Sequence, residues 1–150
     1  MRGPVPTHCE NDDSRFNICI ALNDADSTPT FAPAFDAAAV RWEQIITGDL
    51  SSYSMFEIGA QNPTRTIREV MEGECGFIPN WFDNSIDDLD VCATFPAIDG
   101  VGGVLGAAGP LFTRPDNGLP ASGFMRFDIA DVLDFQTKGF LQDCKCTSIF

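Results

Sequence analysis

Two stretches of alternating apolar residues, placed on either side of a segment with helical period, restrict this chain more than any other feature. Phe16, Ile18, Ile20 and Leu22 alternate with Asn17, Cys19 and Ala21, the period-two pattern of a half-buried strand, and the polar run from Asn23 to Asp26 ends it. From Phe35 through Ala38, Ala39, Trp42, Ile45 and Ile46 the apolar positions fall at helical spacing. Thr30 and Pro33 stand where a cap and a first-turn proline belong, and Gly48 supplies a stop, so the spacing predicts a helix of about four turns with Trp42 in the core. Leu89, Val91, Ala93 and Phe95 then alternate with Asp90, Cys92 and Thr94, giving a second strand that runs into a turn at Asp99-Gly100. Strand, helix and strand in that order predict a right-handed crossover within one sheet. The expected class is α/β or α+β: a mixed, partly edge-exposed sheet backed by one long helix, with a short helix start near the C-terminus.

The chain of 150 residues is the size of one domain, and a hydrophobic fraction of 44% with thirteen Phe argues for a packed core. Residues 1–15 read as a polar tail and 16–150 as the domain. Residues 49–86 mix Gly, Pro, Ser and charges without a sustained period and read as a long loop or insertion, with a short helix at Arg65 to Glu72 and with Cys75 and Trp81 pinning it to the body. Nine basic against twenty-two acidic residues leave a net charge of −13, which disfavours nucleic acid and anionic membranes as partners and suits a binder of hard cations. Six cysteines favour an oxidising, extracellular or secretory compartment, and their pairing stays open. The N-terminus carries no signal-peptide pattern, so the expectation is a chain that is not exported or whose natural start lies upstream.

The segments FNICIAL, FDAAAVRWEQIITGDL, IDDLDVCATFPAIDGVGGVLGAAGP, LPASGFMRFDIADVLDF and GFLQD, in this order, resemble the N-terminal subdomain of metzincin zinc peptidases, particularly the matrixin-like and leishmanolysin-like secreted enzymes. The resemblance implies a zincin-like twisted sheet, a backing helix and an edge strand above a peptide-binding cleft. It also implies that an active-site helix with H-E-x-x-H-x-x-G-x-x-H would follow GFLQD. Here the sequence reads Cys144-Lys-Cys-Thr-Ser-Ile-Phe instead, and its one histidine is His8. A catalytic zinc needs three protein ligands and a carboxylate to take a proton from the bound water. The expectation is therefore a truncated or degenerate form: no catalytic residues in these 150, zinc only in a longer product that carries the missing segment, and a peptide or protein substrate taken in extended form.

The same resemblance aligns Asp99, the carbonyls of Gly100, Gly102 and Val104, and the carboxylates of Asp128 and Asp131 with a structural calcium site. Calcium takes six to eight oxygens, and glycines let a chain curl around it; the competing reading is an ordinary Asp99-Gly100 turn with Asp128 as a cap. Gly103, Val104, Leu105, Gly106 and Ala107 align with the substrate-pairing edge strand, where small residues let a second backbone approach. Against that stands a buried strand or tight turn whose glycines serve internal packing. Ala107 and Arg126 stand where a structural zinc would need histidines, so no such zinc is expected. Asp87, Asp88 and Asp90 could do acid–base work if held together in a cleft, but read more simply as a solvated strand entrance. His8, Cys9, Cys144 and Cys146 make a weak zinc pattern, for which disulfides or free thiols are preferred. A calcium- or disulfide-stabilised extracellular binding module is the alternative to a peptidase origin.

Overall fold

The computed structural model describes residues 6–8, 15–23, 28–54, 67–76 and 85–139. In chain order these form β1 (Pro6–His8), β2 (Ile18–Leu22), α1 (Thr28–Glu43), β3 (Tyr53–Ser54), α2 (Ile67–Cys75), β4 (Ser85–Ile86), β5 (Leu89–Thr94), β6 (Gly106–Thr113), β7 (Pro120–Phe127) and α3 (Ile129–Thr137). Five strands make one sheet in the order β1-β2-β5-β7-β6, and β3 with β4 makes a separate antiparallel ladder. The sheet is mixed: β2, β5 and β7 run parallel, Ile18 opposite Leu89 and Asp90 opposite Ser122, while β1 and β6 are antiparallel at the two ends.

The mixed α/β architecture follows the sequence pattern, with differences of detail. The single long helix is not borne out: α1 has sixteen residues and is accompanied by α2 and α3 of nine each. The short helix expected at Arg65 to Glu72 within the 49–86 excursion is present as α2, described from Ile67 and running on to Cys75, and Val70 and Met71 give it a buried face that its charged neighbours obscure in the sequence. A strand, β1, falls within the expected polar tail. Helix α1 also begins before the expected cap and carries Pro33 inside it, where the missing N–H costs one hydrogen bond of the second turn.

Strands β2 and β5 are buried on both faces, not half-buried. On one face Ile18, Ile20, Leu22, Val91 and Ala93 pack with Ala39 and Phe35 of α1. On the other, Cys19, Ala21 and Cys92 pack with Val70, Met71 and Cys75 of α2. The alternation in the sequence was one of large against small residues, both inward, because α2 covers the second face. A disulfide between Cys75 and Cys92, whose Cα atoms lie 5.8 Å apart, fastens the last residue of α2 to the central strand. Cys75 thus pins the 49–86 excursion as expected; Trp81 lies outside the described residues. Cys19 is disulfide-bonded as well. Among the described residues no helix is long and apolar enough to cross a membrane.

Candidate functional site

Strand β6 lies at the end of the sheet, and among the described residues only β7 pairs with it. Gly106 faces Phe127, Ala107 faces Arg126 and Gly109 faces Phe124, and the amide of Asp128 donates to the carbonyl of Leu105 at 2.9 Å. Antiparallel pairs alternate between hydrogen-bonded and non-bonded types. Leu105 being of the bonded type, Ala107 and Gly109 turn their main-chain groups to β7, while Gly106 and Ala108 turn theirs outward. Pro110 falls in the outward class, where its missing N–H costs the ladder nothing. Two of the glycines are needed for packing: a Cβ at Gly109 would lie 3.2 Å from the Phe124 ring, and one at Gly106 would lie 2.5 Å from the Arg126 carbonyl oxygen. The guanidinium of Arg126 rests 4.9 Å from the Phe124 centroid and is held by Glu74. Of the five residues expected in the edge strand, Gly106 and Ala107 are in β6; Gly103, Val104 and Leu105 belong to the turn before it.

That turn is tied to α3 by carboxylates. Asp128, fully enclosed, caps α3 by accepting from the Ala130 amide through Oδ1, and its Oδ2 accepts from the amides of Ile98, Asp99 and Gly100 at 3.0, 2.8 and 3.0 Å. These donors, the Asp99 amide foremost, hold its pKa down to about 2. Asp131 Oδ1 accepts from Gly102, and both carboxylate oxygens of Asp99 accept from Val104. Gly100 and Gly102 have φ of 86° and 87°, the left-handed geometry that lets successive amides point at one acceptor. The structure therefore brings together Asp99, Gly100, Gly102, Val104, Asp128 and Asp131, as the calcium alignment required, yet Gly100, Gly102 and Val104 meet the carboxylates through their N–H groups. Asp131 Oδ2 is the oxygen of this group that is buried without a hydrogen-bond partner.

A second acidic group lies at the opposite end of β5. Asp49, Asp87 and Asp88 each bring an oxygen within 4.8 Å of the others, an arrangement able to hold a cation. Asp88 accepts from the amides of Asn17 and Leu50 at 2.8 and 2.7 Å, and Asp87 from Ser52 Oγ at 2.8 Å. The expectation of a solvated strand entrance fails here, because Asp87, Asp88 and Asp90 are only 9%, 0% and 5% exposed. Burial raises the pKa of Asp88, against the pull of its two amide donors, and lifts that of Asp90 to about 8, with the charge of Asp87 adding to the rise and Arg114 opposing it. Nothing in the sequence marked Arg114, which is 1% exposed. It donates to the carbonyls of Asp87, Asp88, Pro120 and Ser51 and so laces three loops together.

An apolar groove of about 510 Å³ runs between α1 and the sheet, lined by residues that include Phe35, Trp42, Ile46, Val91, Met125 and Val132. Trp42, expected in the core, is 55% exposed on its rim. The helical spacing placed it on the correct face of α1, but that face extends beyond the sheet it covers. His8 falls in β1, and Cys9, Cys144 and Cys146 lie outside the described residues. Comparison of the chain with family models, curated proteins and solved structures found no match.

Proposed function

We propose that this chain supplies the non-catalytic, upper part of a zinc-endopeptidase cleft of the metzincin type, and that β6 holds an extended peptide or protein substrate by main-chain pairing. The observation that carries the reading is the outer edge of β6, where Gly106 and Ala108 turn their main-chain groups away from β7 and the side chains are too small to hinder a second backbone. The element order supports it: a parallel pair, β2 and β5, whose connection carries the backing helix α1 along with β3, α2 and β4, and then an antiparallel edge strand, in keeping with the sheet, backing helix and edge strand that the family resemblance implies. A secreted location fits the Cys75–Cys92 disulfide. With His8 the one imidazole among the 150 residues, the chain by itself is expected to bind peptide without hydrolysing it, and zinc chemistry would belong to a longer product.

The test uses the register of Pro110. Ala108→Pro removes an outward N–H while leaving the β7 ladder intact, and should abolish peptide-induced protection of β6 amides in hydrogen exchange without lowering the melting temperature by more than a few degrees. A peptide that protects these amides equally in the wild type and the proline variant would refute strand addition.

A second reading, a calcium-stabilised extracellular binding module, draws on the Asp49, Asp87 and Asp88 oxygens and on the unpartnered Asp131 Oδ2. Calcium binding to the folded state alone raises the melting temperature; a titration that leaves it unchanged disposes of this reading.

A further inference from the structure

Resting on the strand-addition reading, we infer that the extended peptide taken by β6 is cationic at both ends, with Lys or Arg flanking a short run of small or β-branched residues. The edge is bracketed by acid. At its start, Asp99 is exposed and is fixed beside Val104, two residues before the strand, by hydrogen bonds from the Val104 amide of 2.9 and 3.0 Å. At its far end, Asp116 is exposed in the turn that joins β6 to β7.

Among the described residues, two cations beside this strand are otherwise engaged. Arg126, opposite Ala107, is paired with Glu74, and Arg114 at the foot of the strand is sealed beneath backbone carbonyls. Beside Asp99, Val101 and Leu105 are 62% and 52% exposed, an apolar surface on which the methylene stem of a lysine can lie while its ammonium reaches the carboxylate. The strand's eight residues span roughly 26 Å, so a peptide of about nine residues paired along it carries its terminal side chains to the two ends of the strand. The net charge of −13 draws such a peptide in from a distance, whereas the two flanking carboxylates determine where its ends settle.

The probes are two end-blocked peptides that differ only at their termini, Lys-Val-Thr-Val-Ala-Val-Thr-Val-Lys and the same sequence with Glu at both ends. The lysine peptide should bind at least about ten-fold more tightly in low salt and protect the Gly106 and Ala108 amides. Its advantage should shrink several-fold at about 0.5 M salt, where the screening length falls well below the low-salt value. Asp99→Asn with Asp116→Asn should reduce the preference to less than about three-fold. A control with the same net charge, Asp36→Asn with Asp134→Asn, should retain it, which separates flanking carboxylates from overall charge. Equal affinities with β6 protected overturn the charge inference and leave strand addition standing; absence of protection at Gly106 and Ala108 with either peptide overturns both. A lysine preference that survives Asp99→Asn and Asp116→Asn also overturns the inference.

Discussion

Asp90 illustrates how one buried side chain sets the response of the fold to pH. Its carboxyl has an ordinary pKa of 3.8, and desolvation in the fold raises it to about 8. The folded state therefore holds a proton that the unfolded chain releases above pH 4. The cost of this site is absent below the unfolded pKa, grows as pH rises from about 4 to 8, and at full extent is on the order of 5 kcal/mol. Asp88 is shifted in the same direction by the same cause. Asp128 has the opposite sign: its amide donors hold it down near 2, so its contribution is present above about pH 4 and is lost as pH falls towards 2. Denaturant melts should thus show stability declining from pH 5 to 8, and Asp90→Asn should flatten that decline and be the more stable form at pH 8. A wild-type profile that rises over this range would contradict the assignment. Arg114→Met should cost about 3–5 kcal/mol by equilibrium unfolding, because it strips the guanidinium from four carbonyl partners in a sealed site. Asp90 was legible as one of three clustered carboxylates but its burial was not, and Arg114 was not legible at all, since an isolated Arg before a turn has no periodic signature.

Among the elements, α2 was expected as a short helix at Arg65 to Glu72, but the face it buries was not legible in so short a segment. Its nine residues include Glu69, Glu72 and Glu74, and its buried side consists of little more than Val70, Met71 and Cys75. A helix this short is marginal in isolation and depends on its tertiary contacts. The Cys75–Cys92 bond supplies one, closing a loop with a separation of 17 residues. Replacing both cysteines with serine should destabilise the protein by about 3 kcal/mol and should open the α2 amides to hydrogen exchange before those of β5. Simultaneous loss of protection in both elements would mean that α2 and the sheet unfold as one unit. Strand β6 was foreseen three residues too early, because Gly103, Val104 and Leu105 share its small and apolar composition yet are drawn into the turn by Asp99. Its edge character was implied by the family resemblance, and the structure agrees, with Pro110 at a position where no ladder amide is required.

For the molecule as a whole, a charge of −13 on 150 residues means that self-repulsion opposes the compact state. Raising salt from about 20 mM to about 500 mM should therefore increase the melting temperature by several degrees in a thermal scan, and an unchanged or lowered value would show that attractive pairs such as Arg126 with Glu74 outweigh the repulsion. The groove along α1 belongs to this scale as well, because Trp42 and Ile46 are on the apolar stripe of α1 but only the whole assembly decides how much of that stripe is covered. By itself the sequence determined the mixed α/β class and the strand–helix–strand order, since periodicity and turn residues act over a few positions, whereas the gathering of Asp99, Asp128 and Asp131 was an expectation from the family resemblance alone. Tertiary structure alone decided that amide donors occupy those carboxylates, that Asp88 and Asp90 are buried around Arg114, and that α2 covers the second face of the sheet. These outcomes depend on groups distant in sequence meeting in one low-dielectric place, where each must find a partner or shift its charge.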